Sequence, residues 1–380
     1  MKILYAVLRN DPHNPDLGSG VEYNFYSAFI REGAEVKVIG PFTQPDCLID
    51  RILRKLYRDA FKKRYLKWSL RITRLSARAL NKAEAQWRPD VVFGLLPPPL
   101  AFYHGKAPAI LNMDTTLHAW HQGGTEFGKL PFKFLVWEEH RAVHNCALTI
   151  TFSDWCKQEL IHRHKVSDRR IFVQPMPSAL PLEVIPGGAK ISAKRLQTPL
   201  RLLLVGRDYT RKGIPTGIEI AKLLNARGIP AELTICGLSG EPNGAVRFTG
   251  PFRKSVPDEL RQYAGLYASA DILIHPATFE AAGIVPAEAA AFGVPTITNS
   301  VGGLATTVAD GVSGIVLPAH SPAQVYVDAI TGLVRNPAEY VRLSAGARRR
   351  YEEEQNWRVA GKRIMKALEE VVAPPELGAV

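Results

Sequence analysis

Short apolar runs alternate with longer stretches of helical periodicity along almost the whole chain. Apolar runs that end at turn residues are typical of buried strands, and apolar residues that recur at helical spacing are typical of amphipathic helices. The predicted strands lie at residues 2–8, 35–40, 90–96, 108–113, 147–152, 200–206, 231–237, 271–276 and 294–300. Because strands and helices alternate, the sequence predicts an α/β fold in which helices cover both faces of parallel sheets.

The alternation stops over residues 175–199, where Pro and Gly are frequent, and then it restarts. Such a composition indicates a linker between domains. We therefore predict two doubly wound domains of ordinary size at residues 1–178 and 200–355, joined by a linker at 179–199. One more amphipathic helix is predicted near the end of the chain, at residues 356–375.

The chain has 380 residues, a net charge of +12 and four cysteines, none of which form a CxxC pair. No apolar run is long enough to predict a membrane span, and the first residues lack the pattern of a signal peptide. Cysteines without a disulfide framework indicate a reducing compartment, so we expect the protein in the cytoplasm. The positive charge indicates an anionic partner: a nucleotide, an acidic glycan, a membrane surface or a nucleic acid.

Two glutamates eight positions apart, Glu280 and Glu288, follow the predicted strand at 271–276. Between them, Gly283, Ile284 and Val285 precede an alanine-rich helical stretch, so their amides should lie at a helix N-terminus. Free N–H groups at that position bind phosphate, and glycine lets the phosphate approach the backbone. Glu288 could then accept the hydroxyls of a ribose, and Glu280 those of a group on the distal phosphate. Alternatively, Glu288 only favours the helix dipole and Glu280 is solvated.

A basic loop follows the predicted strand at 200–206 and carries Arg207, Arg211 and Lys212. Guanidinium and ammonium groups at the mouth of the same sheet would neutralise a pyrophosphate. A single exposed cation is commonly a solvated surface group, but three beside a predicted phosphate site favour nucleotide binding. The GxGxxG motif is absent after the first strand of either half, which disfavours a dinucleotide-dependent dehydrogenase.

These residues together resemble the retaining glycosyltransferases of family 4, which have the GT-B fold of two Rossmann-like domains facing a cleft. The glutamate pair and the loop formed by Gly206, Arg207, Lys212 and Gly213 match motifs of that family. The stretch at 300–318 is similar to its Gly-Gly…Asp-Gly-x-x-Gly segment, and the stretch from Gly18 through Gly20 to residue 40 is similar to its first helix and second strand. The final helix resembles the one that packs back on the N-terminal domain.

The resemblance implies that the C-terminal domain binds a nucleotide-sugar donor and that the acceptor is a glycan or a lipid-linked molecule. It implies that Glu288 holds the ribose, that Arg207 and Lys212 hold the pyrophosphate, and that Glu280 with Gly283, Ile284 and Val285 places the donor sugar. Gly20 belongs to the donor-binding set as well. Since the cations stabilise the departing diphosphate, neither a metal nor another cofactor is expected.

The sequence departs from the family pattern at three places. Many members carry a histidine after the fourth N-terminal strand, where this chain has Asp114. Asp114 can accept a hydroxyl hydrogen bond but cannot donate one when ionised. His118 and His121 lie close by and could compensate on the acceptor side, or they could be surface histidines. The linker lacks the usual Pro-Asn-Gly, and Thr306 stands where many members have glutamate.

Residues 51–82 contain twelve Lys or Arg and one acid, Asp59. Their apolar residues recur at helical spacing, which predicts a basic helix with one buried face and one solvated face. A second interpretation is a surface that docks on anionic lipid through Tyr65 and Trp68, on the inner face of the cytoplasmic membrane. Nucleic-acid binding is not expected, because no recognition motif accompanies the charges.

The leading hypothesis is a retaining hexosyltransferase that acts in the synthesis of cell-surface polysaccharide or lipopolysaccharide. One alternative is a sugar-nucleotide epimerase of the same fold. Another is a protein without enzymatic activity that binds a membrane surface or a nucleic acid through residues 51–82. His140 and His144 have the helical spacing of a metal pair, but no third ligand motif accompanies them, so no metal site is predicted.

Overall fold

The computed structural model describes residues 1–42, 48–62, 70–123, 129–187 and 195–373. The chain forms two compact units. The first contains Met1–Gln174 together with the residues from Gly361 onward, and the second contains Pro175–Ala360. The predicted linker at 179–199 therefore begins inside the second unit, where Leu180 is buried in the core.

The first unit is built on a parallel sheet of six strands. Its strands are β1 (Lys2–Ala6), β2 (Glu35–Ile39), β3 (Val91–Gly94), β4 (Ala109–Met113), β5 (Leu148–Thr151) and β6 (Ile171–Val173). Their order is β2-β1-β3-β4-β5-β6. The central strands β1, β3, β4 and β5 are buried along nearly their whole length, which explains why they read as continuous apolar runs.

Seven helices of the first unit accompany this sheet within the described residues. They are α1 (Val21–Arg31), α2 (Leu48–Asp59), α3 (Leu70–Trp87), α4 (Pro97–Ala101), α5 (Leu117–Gln122), α6 (Lys129–Asn145) and α7 (Asp154–His164). One face of the sheet is covered by an aromatic cluster in which the rings of Phe25 and Phe29 lie 4.9 Å and 5.0 Å from that of Phe93. The opposite face packs aliphatic residues such as Leu80 and Leu100.

The second unit repeats this architecture with its own sheet of six parallel strands. Its strands are β7 (Leu200–Val205), β8 (Ala231–Cys236), β9 (Val246–Thr249), β10 (Ile272–His275), β11 (Thr296–Asn299) and β12 (Gly314–Leu317). Its helices are α8 (Ile214–Ala226), α9 (Pro257–Ser269), α10 (Ile284–Ala291), α11 (Leu304–Thr307), α12 (Ala323–Arg335) and α13 (Pro337–Glu353). Two separate apolar clusters pack on this sheet, so the expected doubly wound α/β fold is confirmed.

The last helix, α14 (Trp357–Val372), begins in the second unit and continues in the first. At Gly361 a Cβ atom would lie 3.1 Å from the Cβ of Ala28 on α1, so the glycine allows a close approach of the two helices. Further along, the guanidinium of Arg363 lies 5.9 Å from the ring centre of Phe172 on β6. The described part of α14 beyond Gly361 therefore packs on the first unit.

The structure corrects two predictions of secondary structure. Strands β6, β9 and β12 were not predicted, because each is only three or four residues long and is partly exposed. The basic helix expected over residues 51–82 is not continuous, since α2 ends at Asp59 and α3 begins at Leu70. Tyr65 and Trp68, which were expected to approach lipid, lie outside the described residues.

Candidate functional site

The order of the strands in the second sheet identifies one position where a ligand site is expected. The order is β12-β11-β10-β7-β8-β9, so the chain winds in one direction from β7 and in the other from β10. In open parallel sheets the crevice outside the carboxyl ends of two such neighbouring strands is the usual binding place. The loops that follow β7 and β10 carry the basic residues and the first glutamate that the sequence singled out.

These two loops hold each other in place through backbone contacts. The amide of Thr278 donates to the carbonyl of Arg211 at 2.9 Å. Gly213 has a φ of +67°, and a Cβ atom there would lie 1.9 Å from the carbonyl oxygen of Pro276. Since only glycine tolerates both conditions, the Lys-Gly pair of the motif fixes the distance between the loops.

The centre of the site is an ion-pair cluster on one oxygen of Glu280. The ammonium of Lys212 and the guanidinium of Arg211 both donate to Glu280 Oε2, the latter at 3.2 Å. The side chains of Lys212 and Glu280 are only 10% and 13% exposed. Among the described residues no hydrogen bond reaches the other oxygen, Oε1. A carboxylate held in this way can still accept a hydroxyl from a ligand.

The charges of this cluster act on the ionisation of both its acid and a neighbouring histidine. Burial, the largest single influence, would raise the pKa of Glu280, but the charge and hydrogen bond of Lys212 together with the neighbouring His275 outweigh it and hold the pKa well below its usual range. His275, at the end of β10, is fully buried, and its Nε2 lies 3.5 Å from Glu280 Oε2. Burial, followed by the charge of Lys212, lowers the pKa of His275, so its imidazole is neutral near pH 7.

Helix α10 begins directly beside this cluster. Gly283 is its N-cap residue with a φ of +82°, and Ile284 and Val285 form the first turn. The first amides of a helix have no intrahelical acceptor, so they point outward with the positive end of the helix dipole. The predicted helix N-terminus is therefore found one or two residues before Pro286, in a position suited to an anion.

Glu288 lies on α10 and is completely buried. Its Oε1 accepts a hydrogen bond from Lys254 Nζ at 2.7 Å. Its Oε2 accepts from the phenols of Tyr263 and Tyr267 at 2.6 Å and 2.7 Å. The carboxylate that was expected to face a ribose is thus engaged by three side chains of the second unit.

Arg207 differs from its neighbours because it is exposed. No hydrogen bond or ion pair joins its guanidinium to any other residue of the described ranges. An exposed guanidinium on the loop that carries Lys212 can bind a phosphate with two parallel hydrogen bonds.

Gly20 lies in the first unit, at the start of α1. It is the N-cap of that helix with a φ of +82°, after a short turn over Gly18–Gly20. A Cβ atom at Gly18 would lie 2.3 Å from Glu22 Oε2, so the glycine makes room for this buried carboxylate. Asn10 donates to the other oxygen of Glu22, and burial raises the pKa of Glu22. Asn10 and Glu22 were not among the predicted site residues.

Asp114, His118 and His121 also belong to the first unit. Asp114 is exposed after β4, and the two histidines lie on α5, the short helix that follows. Burial, and then the charge of Arg163, lowers the pKa of His118. Both oxygens of Glu139 accept from the amide of Leu117 at the start of α5. The acceptor-side candidates are therefore carried on a helix whose N-terminus is fixed by a buried acid.

Glu138, next to Glu139, is buried on α6. Neither of its carboxylate oxygens has a hydrogen-bond partner among the described residues. Burial raises the pKa of Glu138 to about 7, and the nearby Thr73 hydroxyl offsets this only in part. An ionised buried carboxylate without partners is unfavourable, so this residue makes the stability of the first unit depend on pH.

Three further features were checked as possible sites: a cavity, a pair of histidines and membrane-spanning helices. A cavity of about 720 Å³ lies at the opposite end of the second sheet, beside Leu200, Pro230 and Tyr340, and Arg211, Lys212 and Glu280 do not line it. His140 and His144 have ring centres 4.4 Å apart, but no group of three His, Cys, Asp or Glu in the described ranges could hold a metal ion. No described helix is long and apolar enough to cross a membrane.

Sequence reasoning missed His275, Lys254, Tyr263 and Tyr267. The two tyrosines have the i, i+4 spacing of one helix face, which was an available signal. Lys254 and His275 gave no such signal, because only the folded chain brings them to Glu288 and Glu280.

Two family models match the chain over adjacent segments. Residues 190–350 match the model described as Glycosyl transferases group 1, and residues 21–177 match the model described as Glycosyltransferase Family 4. Together the two matches cover most of both units. The chain belongs to the glycosyltransferases of the family 4 type, and its fold is GT-B.

A curated relative with the name of a glycosyltransferase is similar to part of the chain. A D-inositol 3-phosphate glycosyltransferase of Catenulispora acidiphila is 40% identical over 180 residues, which are 43% of each chain. The chain spans about half or less of the length of the curated relatives that it matches at this level.

Solved structures support the fold over nearly the whole chain. WaaG, a glycosyltransferase involved in lipopolysaccharide biosynthesis, has a TM-score of 0.63 at 18% identity and covers 98% of this chain and 100% of its own. HepE of Anabaena, solved in complex with UDP-glucose, has a TM-score of 0.64 at 16% identity and covers 97% of this chain and 100% of its own.

Proposed function

We propose that the protein transfers a sugar from a nucleotide-diphosphate sugar to an acceptor, with retention of the anomeric configuration. The observation that carries this proposal is the cluster of Arg211, Lys212 and Glu280 beside the N-terminus of α10, at the switch point of the second sheet. It combines cations and amides for a diphosphate with a carboxylate oxygen for a sugar hydroxyl. HepE, of similar fold, was solved with UDP-glucose, which supports a donor of this kind.

In this proposal the diphosphate lies between the loop after β7 and the first turn of α10. Arg207, Lys212 and the amides of Gly283, Ile284 and Val285 neutralise it. As the bond between the anomeric carbon and the phosphate oxygen breaks, negative charge grows on the diphosphate, and these fixed donors stabilise it. Transfer without a divalent metal is part of this proposal.

Glu280 Oε1 would orient the donor sugar, and Glu288 would bind the ribose. Because Glu288 is buried and already accepts three hydrogen bonds, ribose binding requires Lys254 to move away from Oε1 or to share it.

Retention through a covalent intermediate would need a carboxylate nucleophile. Since Glu280 and Glu288 are assigned to the sugar and the ribose, Asp114 is the remaining candidate. We propose front-face displacement instead, in which the departing phosphate takes the proton of the acceptor hydroxyl and Asp114 orients a hydroxyl.

For the acceptor we propose a glycan or lipid-linked molecule of cell-surface polysaccharide or lipopolysaccharide synthesis, approached from His118 and His121. The name of the Catenulispora relative favours a second candidate, an inositol phosphate. A sugar-nucleotide epimerase of the same fold remains the alternative reaction. It would release free nucleotide from the donor without any acceptor, whereas a transferase would need one.

The test begins with a thermal-shift panel of UDP, GDP, ADP and their sugars. A ligand at about 100 times its dissociation constant should stabilise the protein by roughly 2.7 kcal/mol. The stabilising donor is then incubated with candidate acceptors, and the configuration of the product is read by NMR. If no nucleotide stabilises the protein, or if the product is inverted, the proposal is wrong.

We further propose a peripheral position on the cytoplasmic face of a membrane, supported by α2. Leu48, Ile52 and Leu56 recur every four residues on one face and are 45–69% exposed. Arg51 and Lys55 are exposed on the neighbouring face. An anionic lipid surface would bury the apolar face in the headgroup region and attract the flanking cations, whereas in water the apolar face stays exposed.

The membrane proposal is tested by sedimentation with vesicles of phosphatidylcholine and phosphatidylglycerol. Reversing Arg51 and Lys55 to Glu should reduce binding and leave nucleotide affinity unchanged. The matched control reverses Lys362 and Lys366, which are exposed on α14 and change the net charge equally. Equal sedimentation of both variants and the wild type would reject α2 as the docking surface.

A further inference from the structure

His275 is a buried polar side chain whose hydrogen-bonding capacity is unused. It is 0% exposed, and neither Nδ1 nor Nε2 has a hydrogen-bond partner within the described part of the chain. Buried polar groups are nearly always hydrogen-bonded, and an unmade bond is unfavourable. Nε2 nevertheless lies 3.5 Å from Glu280 Oε2, about half an ångström beyond the usual N–H···O distance.

The oxygen that His275 approaches is the one already occupied by cations. Lys212 and Arg211 both donate to Glu280 Oε2. Lys212 and Glu280 are largely buried, so each depends on the other for its charge partner. If Lys212 leaves Oε2, a nearly buried carboxylate loses its principal counterion, and an unpaired buried charge is strongly unfavourable.

A bound diphosphate provides a reason for Lys212 to leave. The ammonium of Lys212 lies on Glu280, three residues before the N-cap of α10, the helix end where a phosphate would lie. A diphosphate, which carries two negative charges over its two phosphates, competes with a single carboxylate for the same ammonium, because charge-assisted bonds to phosphate oxygens are at least as strong. Glu280 Oε2 then keeps only the partly exposed guanidinium of Arg211, and a further donor on the buried side is needed to hold Glu280 in place.

We propose that His275 is this donor: when the diphosphate draws Lys212 from Glu280, the Nε2–H of His275 closes on Oε2 and holds Glu280 in position for the donor sugar. This inference rests on the proposed function, because it requires a diphosphate in the site. It makes His275 a positioning residue, which acts on the sugar through Glu280 and does not contact the substrate. The neutral imidazole suits the task, since it donates one proton without adding charge beside Lys212 and Arg211.

The kinetic test compares His275→Gln with His275→Leu. Glutamine places an amide N–H near the position of Nε2, whereas leucine fills similar space without a donor. Losing a hydrogen bond to a charged group should lower kcat by about ten- to a hundredfold in His275→Leu. His275→Gln should recover most of that loss. Because the new hydrogen bond forms only when the diphosphate is bound, the affinity of His275→Leu for the nucleoside diphosphate should also fall, by up to about tenfold, and His275→Gln should restore it.

A purely structural role for His275 gives a different result. Both substitutions would then lower thermal stability and nucleotide affinity together, without selective rescue of kcat by glutamine. Equal kcat in His275→Leu and the wild type would also overturn the proposal.

A second measurement uses the wild-type protein, so it does not depend on how the variants fold. The chain is labelled with ¹⁵N-histidine and titrated with UDP, GDP or ADP, whichever binds by calorimetry. The signal of His275 is assigned by its absence from His275→Gln, and exposed His104 serves as an internal reference. On saturation, the Nε2 signal should move to that of a protonated, hydrogen-bonded nitrogen, and its proton should become protected from exchange.

The two failures can be told apart. If a nucleoside diphosphate binds and the His275 signal stays unchanged, the exchange of donors on Glu280 is wrong and the proposed function stands. If none of the nucleoside diphosphates binds the wild-type protein, the proposed function fails and this inference fails with it.

Discussion

The buried pair of Glu288 and Lys254 allows a stability prediction that is independent of any ligand. The carboxylate accepts from Lys254 and from the phenols of Tyr263 and Tyr267, with all three distances between 2.6 Å and 2.7 Å. Replacing Glu288 with Leu leaves the ammonium of Lys254, whose side chain is 18% exposed, without its counterion. The two phenols lose less, because their oxygens are 2.8 Å apart and can bond to each other.

The magnitudes follow from which groups remain unpaired. Breaking a buried ion pair by removing one partner costs about 3–5 kcal/mol, so Glu288→Leu should destabilise the second unit by roughly that amount. Lys254→Met leaves a fully buried carboxylate without its counterion, so it should cost about 3 kcal/mol, near the lower end of that range because two phenols still donate to Glu288. In the double variant no charge is left unpaired, so its loss should be smaller than the sum of the single losses by about 2 kcal/mol or more.

The assay is hydrogen exchange of the amides of β10 and α10, which reports the opening free energy of the second unit alone. Wild type, both single variants and the double variant form one thermodynamic cycle. The reasoning is refuted if the single losses simply add in the double variant, because the two side chains would then not interact. Calorimetry on a separate variant, Glu288→Gln, should show nucleoside diphosphate affinity weakened by about 1–3 kcal/mol if Glu288 binds the ribose.

Three further predictions concern other parts of the molecule. Glu138 has a folded pKa of about 7 against an ordinary value of 4.5, so the first unit should lose up to roughly 3 kcal/mol of stability as pH rises from about 4.5 to 7. Glu138→Gln should remove this dependence, and the assignment is contradicted if the free energy of urea unfolding of this variant changes with pH as steeply as that of the wild type. Arg207→Ala and Lys212→Ala should each lower kcat by about a hundredfold and donor affinity much less, with activity retained in excess chelator; a requirement for added divalent metal would oppose this. Asp114→Asn should keep activity within about a hundredfold of the wild type, and mass spectrometry that finds a glycosyl ester on Asp114 would make this residue a nucleophile.

The local pattern of apolar and polar residues was enough to predict the α/β fold and most of its strands. The apolar runs of the central strands, such as β4 and β10, read as buried because both faces of a parallel sheet are covered. The strands that pattern missed, β6, β9 and β12, are short and partly exposed, so their apolar signal is weak. They are held in the sheets by hydrogen bonds to neighbouring strands that are separated from them in the sequence by a helix or a loop.

The same distinction applies to the site. Sequence alone predicted Lys212, Glu280 and the turn at Gly283 as site residues, because glycine and charge at these spacings are typical of phosphate binding. It could not reveal that Lys212 pairs with Glu280, that Lys254 covers Glu288, or that His275 lies unpaired beside the first pair. Those relations join loops that are distant in the chain, and only the packing of the sheet sets their distances and removes the water that would otherwise screen their charges.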